Sequence, residues 1–326
     1  QYRVDKDLFT ELKSDEKVTH CAFVSEDHEA NWIADKLKEM NEKGKAYKDM
    51  SILYRSNYLS RSLEKAFLDH HIPYVIYGGT RFYDRAEIKD MLSYLRMLTH
   101  GDDLAFMRVI NTPKRGLGTK TLDKLRDDAK ANKRTMYEQI KLENNFSGKT
   151  YDAFDRFVRL VESTKLMMGE KPLIEILEKM ENDSGLRAMY EAQHEVDRLE
   201  NIKELINDVI TFQNQYPESG LDEYLQMVAL YGDRNDLTDG DYCQMMTIHA
   251  AKGLEFDTVF VIGLSEGIFP NERAMSEGKR GLEEERRLAY VAFTRAKNKL
   301  FLTEVSGYSF VLTKLRSKSR FIDEID

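Results

Sequence analysis

The chain shows two hydrophobic periods, and the shorter one is confined to its two ends. Near the start, Val18-Thr19-His20-Cys21-Ala22-Phe23-Val24 is a brief apolar run, followed by Met50-Ser51-Ile52-Leu53-Tyr54 and Tyr74-Val75-Ile76-Tyr77. Short runs rich in β-branched and aromatic residues read as strands. Between them apolar residues recur at three and four. Trp32, Ile33, Leu37 and Met40 share one face of a stretch that Ser25 caps and Glu26 and Asp27 open, and a second helix is predicted over 60–70. Strand, helix, strand, helix, strand predicts a parallel sheet with right-handed crossovers. Residues 245–305 supply more of the same kind. Met245-Met246-Thr247-Ile248 and Val259-Phe260-Val261-Ile262 read as buried strands, and 283–296 as a helix with acids in its first turn and Leu288, Val291 and Ala292 on one face. The economical reading is one α/β domain whose sheet is built from both chain ends.

The middle of the chain, from 81 to 241, has no convincing strand. Successive amphipathic helices are predicted at 85–99, 103–111, 119–131, 151–168, 172–180 and 194–215, which pack as a bundle. The polar, acidic, glycine-punctuated stretch 231–240 reads as a linker back to the sheet. The division is therefore 1–80, an all-α insertion at 81–241, and 242–326. With Gly78-Gly79 at one crossing and the linker at the other, the insertion is expected to swivel on two strands of chain.

A length of 326 residues suffices for two domains with sizeable cores. Charged residues make up 33%, and no apolar run approaches the ~18 residues that span a bilayer. A cytoplasmic protein without a membrane partner is expected, with Cys21 and Cys243 as reduced structural thiols. The net charge of −8 argues against a dedicated nucleic-acid coat but not against locally basic tracks.

Chemistry concentrates in three places. Pro113-Lys114-Arg115-Gly116-Leu117-Gly118-Thr119 sets two glycines before a helix, with Lys114, Arg115 and Lys120 alongside. Exposed amides at a helix N-terminus next to cations make a phosphate-binding hairpin, the alternative being an ordinary glycine-containing turn. Thr247-Ile248-His249-Ala250-Ala251-Lys252-Gly253-Leu254-Glu255-Phe256 is a polar, glycine-containing loop between two strands, and Glu284-Glu285-Arg286-Arg287-Leu288-Ala289-Tyr290-Val291-Ala292-Phe293-Thr294-Arg295-Ala296 ends in an arginine. Loops at strand ends are where α/β folds place ligand chemistry.

The last two stretches resemble motifs V and VI of the UvrD/PcrA/Rep helicases of superfamily 1. The resemblance implies a RecA-like motor domain, 2A, built from both chain ends and interrupted by a helical domain, 2B. It implies that Arg295 reaches the γ-phosphate of ATP, where a guanidinium fork meets spreading charge. The plainer alternative is an arginine favoured by a helix C-terminus. Glu255 would accept from the ribose and Gly253 would let the backbone pass close by. Lys252 is left evenly between sensing phosphate and pairing with a surface acid, and Arg286 and Arg287 between ligand and the local glutamates.

Thr247 and His249 match positions on the DNA side of the motor, as do Arg55, Ser56 and Asn57 after the second strand, with Arg61 on the next helix. These would bond phosphate oxygens, which carry no sequence information. A packed loop residue is the alternative for His249. The 113–119 hairpin, with Lys114, Arg115, Gly116, Gly118 and Thr119, resembles the family's duplex-gripping element.

Gly148-Lys149-Thr150 imitates the end of a P-loop, but Glu143 stands where its first glycine belongs, and the triplet reads as a loop between helices. The expectation is the C-terminal half of an ATP-dependent 3′–5′ DNA helicase. Its partners would be single-stranded and duplex DNA and an N-terminal motor domain of the same polypeptide. That domain would hold most of the ATP and Mg2+, so the chain alone is expected to lack ATPase. The alternative is a non-catalytic DNA-binding regulatory module.

Overall fold

The computed structural model describes residues 17–232 and 240–325; most of the 231–240 linker therefore lies outside the described residues. Strands β1 (Thr19–Phe23), β2 (Met50–Tyr54), β3 (Tyr74–Ile76), β4 (Cys243–Thr247), β5 (Phe256–Val261) and β6 (Ala296–Val305) form one sheet in the order β1-β6-β5-β2-β4-β3. Every pairing is parallel. The two chain ends interleave, because β2 lies between β4 and β5. All five residues of β2 are wholly buried, as a central strand covered on both faces requires.

Successive β2 residues point to opposite layers. Ile52 packs with Ile33 and Leu37 of α1 (Glu26–Glu42) and Leu63 and Phe67 of α2 (Ser60–Asp69). Leu53 faces the other side, where Val259 and Val261 meet Ala289 and Ala292 of the helix at Lys279–Phe293. Ser25 caps α1, its Oγ accepting from the His28 amide at 3.3 Å.

Among its described residues the insertion contains helices and loops but no strand. Its helices are α3 (Ala86–Thr99), α4 (Asp103–Val109), α5 (Thr119–Ala131), α6 (Met136–Leu142), α7 (Gly148–Lys165), α8 (Leu173–Asp183), α9 (Leu186–Ala192), α10 (Val196–Gln215) and α11 (Leu221–Gly232). They enclose a core of their own that includes Tyr94, Phe106, Phe157, Leu177 and Leu205. The 148–150 triplet opens α7 instead of forming a loop, with Ser147 at the N-cap. Helices α6, α9 and α11 were not predicted. The first two have seven residues each, too few for a period to stand out, whereas Leu221, Tyr224, Leu225 and Val228 do mark the buried face of α11. Among the described residues no helix is long and apolar enough to cross a membrane.

Two chain crossings are not all that joins the insertion to the sheet: charged side chains also meet across the boundary, so a swivel would have to exchange them. Arg61 on α2 is only 2% exposed, donating from Nε to Glu204 at 2.6 Å and from Nη1 to Asp208 at 2.7 Å, both on α10. Asp208 also accepts from the hydroxyls of Tyr83 and Tyr224, at 2.6 and 2.9 Å. Beside them Arg85 donates to the Asn201 side chain, the Ser60 hydroxyl and the Asn57 carbonyl. Arg61 is accordingly withdrawn as a DNA contact. Burial and two carboxylates occupy the groups a phosphate would need.

Candidate nucleotide and nucleic-acid interface

The sheet register divides the site residues between two opposite edges. Tyr54 pairs with Thr247, so Arg55, Ser56 and His249 follow the C-terminal ends of β2 and β4. Phe256 pairs with Ala296, so Glu255 and Arg295 precede the N-terminal ends of β5 and β6. Since β5 also runs parallel to β2, the loop 248–255 crosses from one edge to the other.

At the second edge, the Phe256 amide donates to the Arg295 carbonyl at 2.9 Å and stitches the two motifs together. The helix preceding Arg295 follows the short α12 (Glu272–Ser276) and is α13 (Lys279–Phe293). Arg295 sits just beyond its C-cap, Thr294. The guanidinium donates to the carbonyls of Val291 (3.0 Å) and Leu254 (2.9 Å) and to the Thr294 hydroxyl (3.1 Å). Those are the contacts a helix C-terminus offers a cation, and they also hold Arg295 against the loop that carries Glu255. Glu255 is exposed, with Lys297 Nζ at 3.9 Å, and Lys252 is exposed nearby. Gly253 has φ +90°, and nothing lies within 4 Å of where a Cβ would stand, so the loop needs its left-handed backbone and leaves open space there. These groups could fit the edge of a nucleotide: an exposed carboxylate, with Lys297 the nearest cation, for ribose hydroxyls, and a guanidinium that among the described residues is held by neutral oxygens. No group of three or more His, Cys, Asp or Glu among the described residues is arranged to hold a metal ion.

At the first edge Arg55 is not free. Its Nε and Nη2 grip the Glu285 carboxylate of α13 at 2.8–3.1 Å. Glu285 is buried and also accepts from the Asn271 amide at 2.9 Å. Arg55 Nη1 has no partner among the described residues. Ser56 and Asn57 are half-buried, and the Thr247 hydroxyl accepts from the Ala250 amide at 3.3 Å. His249 keeps much of its surface in solvent, while its ring is partly shielded by its surroundings. Burial first, then the positive charge of Arg55, lowers its pKa, against the opposing pull of Glu285 and Glu284. The ring therefore favours its neutral form, able to donate one hydrogen bond.

The hairpin in the insertion divides its own cations. Arg115 folds inward, donating to the carbonyls of Val109 (2.9 Å), Ile110 (3.1 Å) and Ser184 (3.2 Å) and to the Tyr94 hydroxyl (2.7 Å), over the ring of Phe157. It closes the end of α4 and is removed from the phosphate-contacting set, because its donors already satisfy buried acceptors. Asn111 braces the turn, donating to the Leu117 carbonyl and accepting from the Arg115 amide. Lys114, Gly116, Gly118, Thr119 and Lys120 remain exposed at the apex, and Gly116 has φ +75°. Gly118 is the N-cap of α5 and offers no side chain to cover its first amides.

Arg286 pairs with Glu283 and with Glu324, 38 positions away, and Arg287 with the local Glu284, so both are engaged in ion pairs. Glu285 is the residue that motif reading passed over. Three glutamates stand in a row, but only Glu285 precedes the buried Ala289 and Ala292 by four and seven, a helical spacing that marks it as inward-facing.

Residues 2–307 match the model of the UvrD-like helicase C-terminal domain. The chain belongs to that family. It is 40% identical over 338 aligned positions to DNA helicase II of Escherichia coli K12, covering 99% of this chain and 46% of that protein. The ATP-dependent DNA helicases PcrA of Leuconostoc citreum and Bacillus subtilis are 39% and 36% identical, again over 99% of this chain and 45% and 46% of theirs. The chain thus spans about half the length of the curated relatives it matches, corresponding to their C-terminal half. Its six-stranded parallel sheet with inserted helices is the RecA-like arrangement the motifs implied.

Proposed function

We propose that this chain supplies the second motor domain, 2A, and the helical domain, 2B, of an ATP-dependent 3′–5′ DNA helicase. One observation carries the reading. A guanidinium and a carboxylate sit together at one edge of the sheet, a cation–imidazole–hydroxyl set sits at the other, and a single helix spans the two.

Arg295 exchanges its carbonyl acceptors for the γ-phosphoryl oxygens as the two motor domains close. Its fork then stabilises charge that develops in the transition state, and the binding of neutral carbonyls beforehand keeps it oriented. Glu255 accepts from the ribose. Lys252 adds positive potential beside the open backbone at Gly253. The P-loop and the ligands of Mg2+ come from an N-terminal motor domain, and the ion there would neutralise phosphate charge. Thr247, His249, Arg55, Ser56 and Asn57 form one wall of the single-strand groove, and Lys114, Gly116, Gly118 and Thr119 meet duplex phosphates.

The test uses the full-length protein. Arg295→Ala is expected to lower DNA-stimulated ATP hydrolysis by about 10³ or more, the range for arginines that stabilise phosphoryl transfer, while single-strand affinity is retained. Wild-type turnover would remove Arg295 from this role. The chain by itself contains no complete Gly-x-x-x-x-Gly-Lys-Ser/Thr sequence, and it is expected to show no DNA-stimulated turnover. Steady hydrolysis by the purified chain would overturn the division of labour.

A further inference from the structure

We infer that Glu285 is a positioning residue through which the single-strand edge of the sheet sets the placement of the phosphate-directed arginine; the inference rests on the helicase reading above. The geometry is that of a strut. Helix α13 leads into the N-terminal end of β6, so its C-terminus lies at the nucleotide edge and its beginning at the opposite one. Glu285 lies eight positions before Phe293, the last residue of α13, about 12 Å along a helix rising about 1.5 Å per residue, and Arg295 follows two positions later. A continuous helix can pass an axial shift from one end to the other.

What holds the first end is specific. The Glu285 side chain is 3% exposed and the Arg55 side chain 21%. Both carboxylate oxygens lie within 3.1 Å of Arg55 Nε, and Oε1 also takes Nη2 at 2.8 Å, a forked pairing that fixes direction as well as distance. The second oxygen holds the Asn271 amide, just before α12. Arg55 follows the last residue of β2 directly. Its loop is held from the other side too, since Arg85 binds the Asn57 carbonyl together with Ser60 and Asn201 of α10. The loop 55–57 and α13 are thus joined through one buried carboxylate.

A DNA phosphate presents the same acceptor geometry to Arg55 as the Glu285 carboxylate does. Strand binding therefore competes for the fork and alters the hold on α13, whose far end carries Arg295. Arg55 is the contact; Glu285 acts through it. The consequence is that the stimulation of ATP hydrolysis by single-stranded DNA runs through this pair.

The experiment compares ATP turnover of the full-length protein with and without saturating oligo(dT). Glu285→Gln keeps size and removes charge. Arg55→Lys keeps charge and removes the fork. Each is expected to lower the stimulation ratio by roughly 5- to 150-fold, the span of ordinary coupling between sites. The double variant is expected to fall no further than the worse single one, because both changes cut the same link. A residue with only a structural role would lower the melting temperature and leave the ratio intact, and that result overturns the inference, as does an additive loss in the double variant. Should Glu285→Gln fail to fold, Glu285→Asp, which keeps the charge and shortens the reach to Arg55, is read by the same ratio, and an unchanged ratio overturns the inference. If the wild-type protein shows no stimulation by DNA, it is the helicase reading that fails, and the inference falls with it.

Discussion

Glu29 is the residue whose chemistry is least apparent from its neighbours in sequence. It lies in the first turn of α1, where an acid is ordinary, yet it is 4% exposed and Oε1 has no hydrogen-bond partner among the described residues. Burial pushes its pKa up to about 7 from 4.5, with Thr303 and Gly263 close enough to offset part of the shift. The folded state then holds the proton more tightly than the unfolded chain does. Its ionisation costs no stability below about 4.5, and destabilises the fold progressively as pH rises toward 7. A shift of that size corresponds to about 3 kcal/mol, fully felt above pH 7. Glu29→Gln is expected to raise stability by up to that amount at pH 8 and to have little effect at pH 4.5. Urea midpoints at the two pH values check this, and an equal effect at both would refute it. The arginines carry a related lesson. Arg55, Arg61, Arg115 and Arg295 all stood at positions where motif or charge favoured a ligand. Two of them turned inward because of acids or carbonyls elsewhere: Arg61 is claimed by Glu204, 143 positions away, and Arg115 by carbonyls that include Ser184. Local sequence tells that a cation is present, not which distant acceptor claims it.

Among elements, legibility followed length and burial. β2, α1 and α5 were placed to within a residue because each has a clear period, a capping residue or a glycine boundary. The order of the sheet was not legible, since placing β2 between β4 and β5 depends on pairings across about two hundred positions. The 113–119 hairpin was legible as an element and not as a set of contacts, and that difference can be measured. Lys114→Ala is expected to reduce the slope of log affinity for duplex against log salt by about 0.9 for the phosphate it neutralises. Arg115→Ala is expected to leave that slope unchanged and to lower unfolding stability by about 1–3 kcal/mol, because the Tyr94 hydroxyl and the buried carbonyls lose a donor. Titrations at several KCl concentrations and thermal unfolding separate the two. A slope change in Arg115→Ala of the same size as in Lys114→Ala would return Arg115 to the DNA-contacting set.

For the whole molecule, what decides behaviour is how the helical insertion is fastened to the sheet. Two crossings of chain would leave it loosely tethered, and the sequence offers glycines at both of them. The buried Arg61–Glu204–Asp208 cluster changes that picture, because charges withdrawn from water are tolerated only while they remain paired. Pulling the insertion away would leave a guanidinium on α2 and two carboxylates on α10 seeking new partners, so the arrangement is favoured as a unit or replaced as a unit. Hydration on opening offsets much of the lost pairing, so such a cluster acts as a latch that selects one orientation more than as a source of stability. Arg61→Met tests this. With its guanidinium gone, Glu204 and Asp208 stay buried without their cation, and the cost to the docked arrangement is expected to be about 3–5 kcal/mol. Glu204→Gln added to Arg61→Met is expected to recover part of it by removing one unpaired charge. Dye pairs on the insertion and the sheet in the full-length protein provide the readout: a single narrow distance distribution for wild type, a broader or displaced one for Arg61→Met, and a partial return for the double variant. An unchanged distribution in Arg61→Met would mean that packing of α10 against the residues after β2, and not the charge cluster, sets the orientation of the insertion.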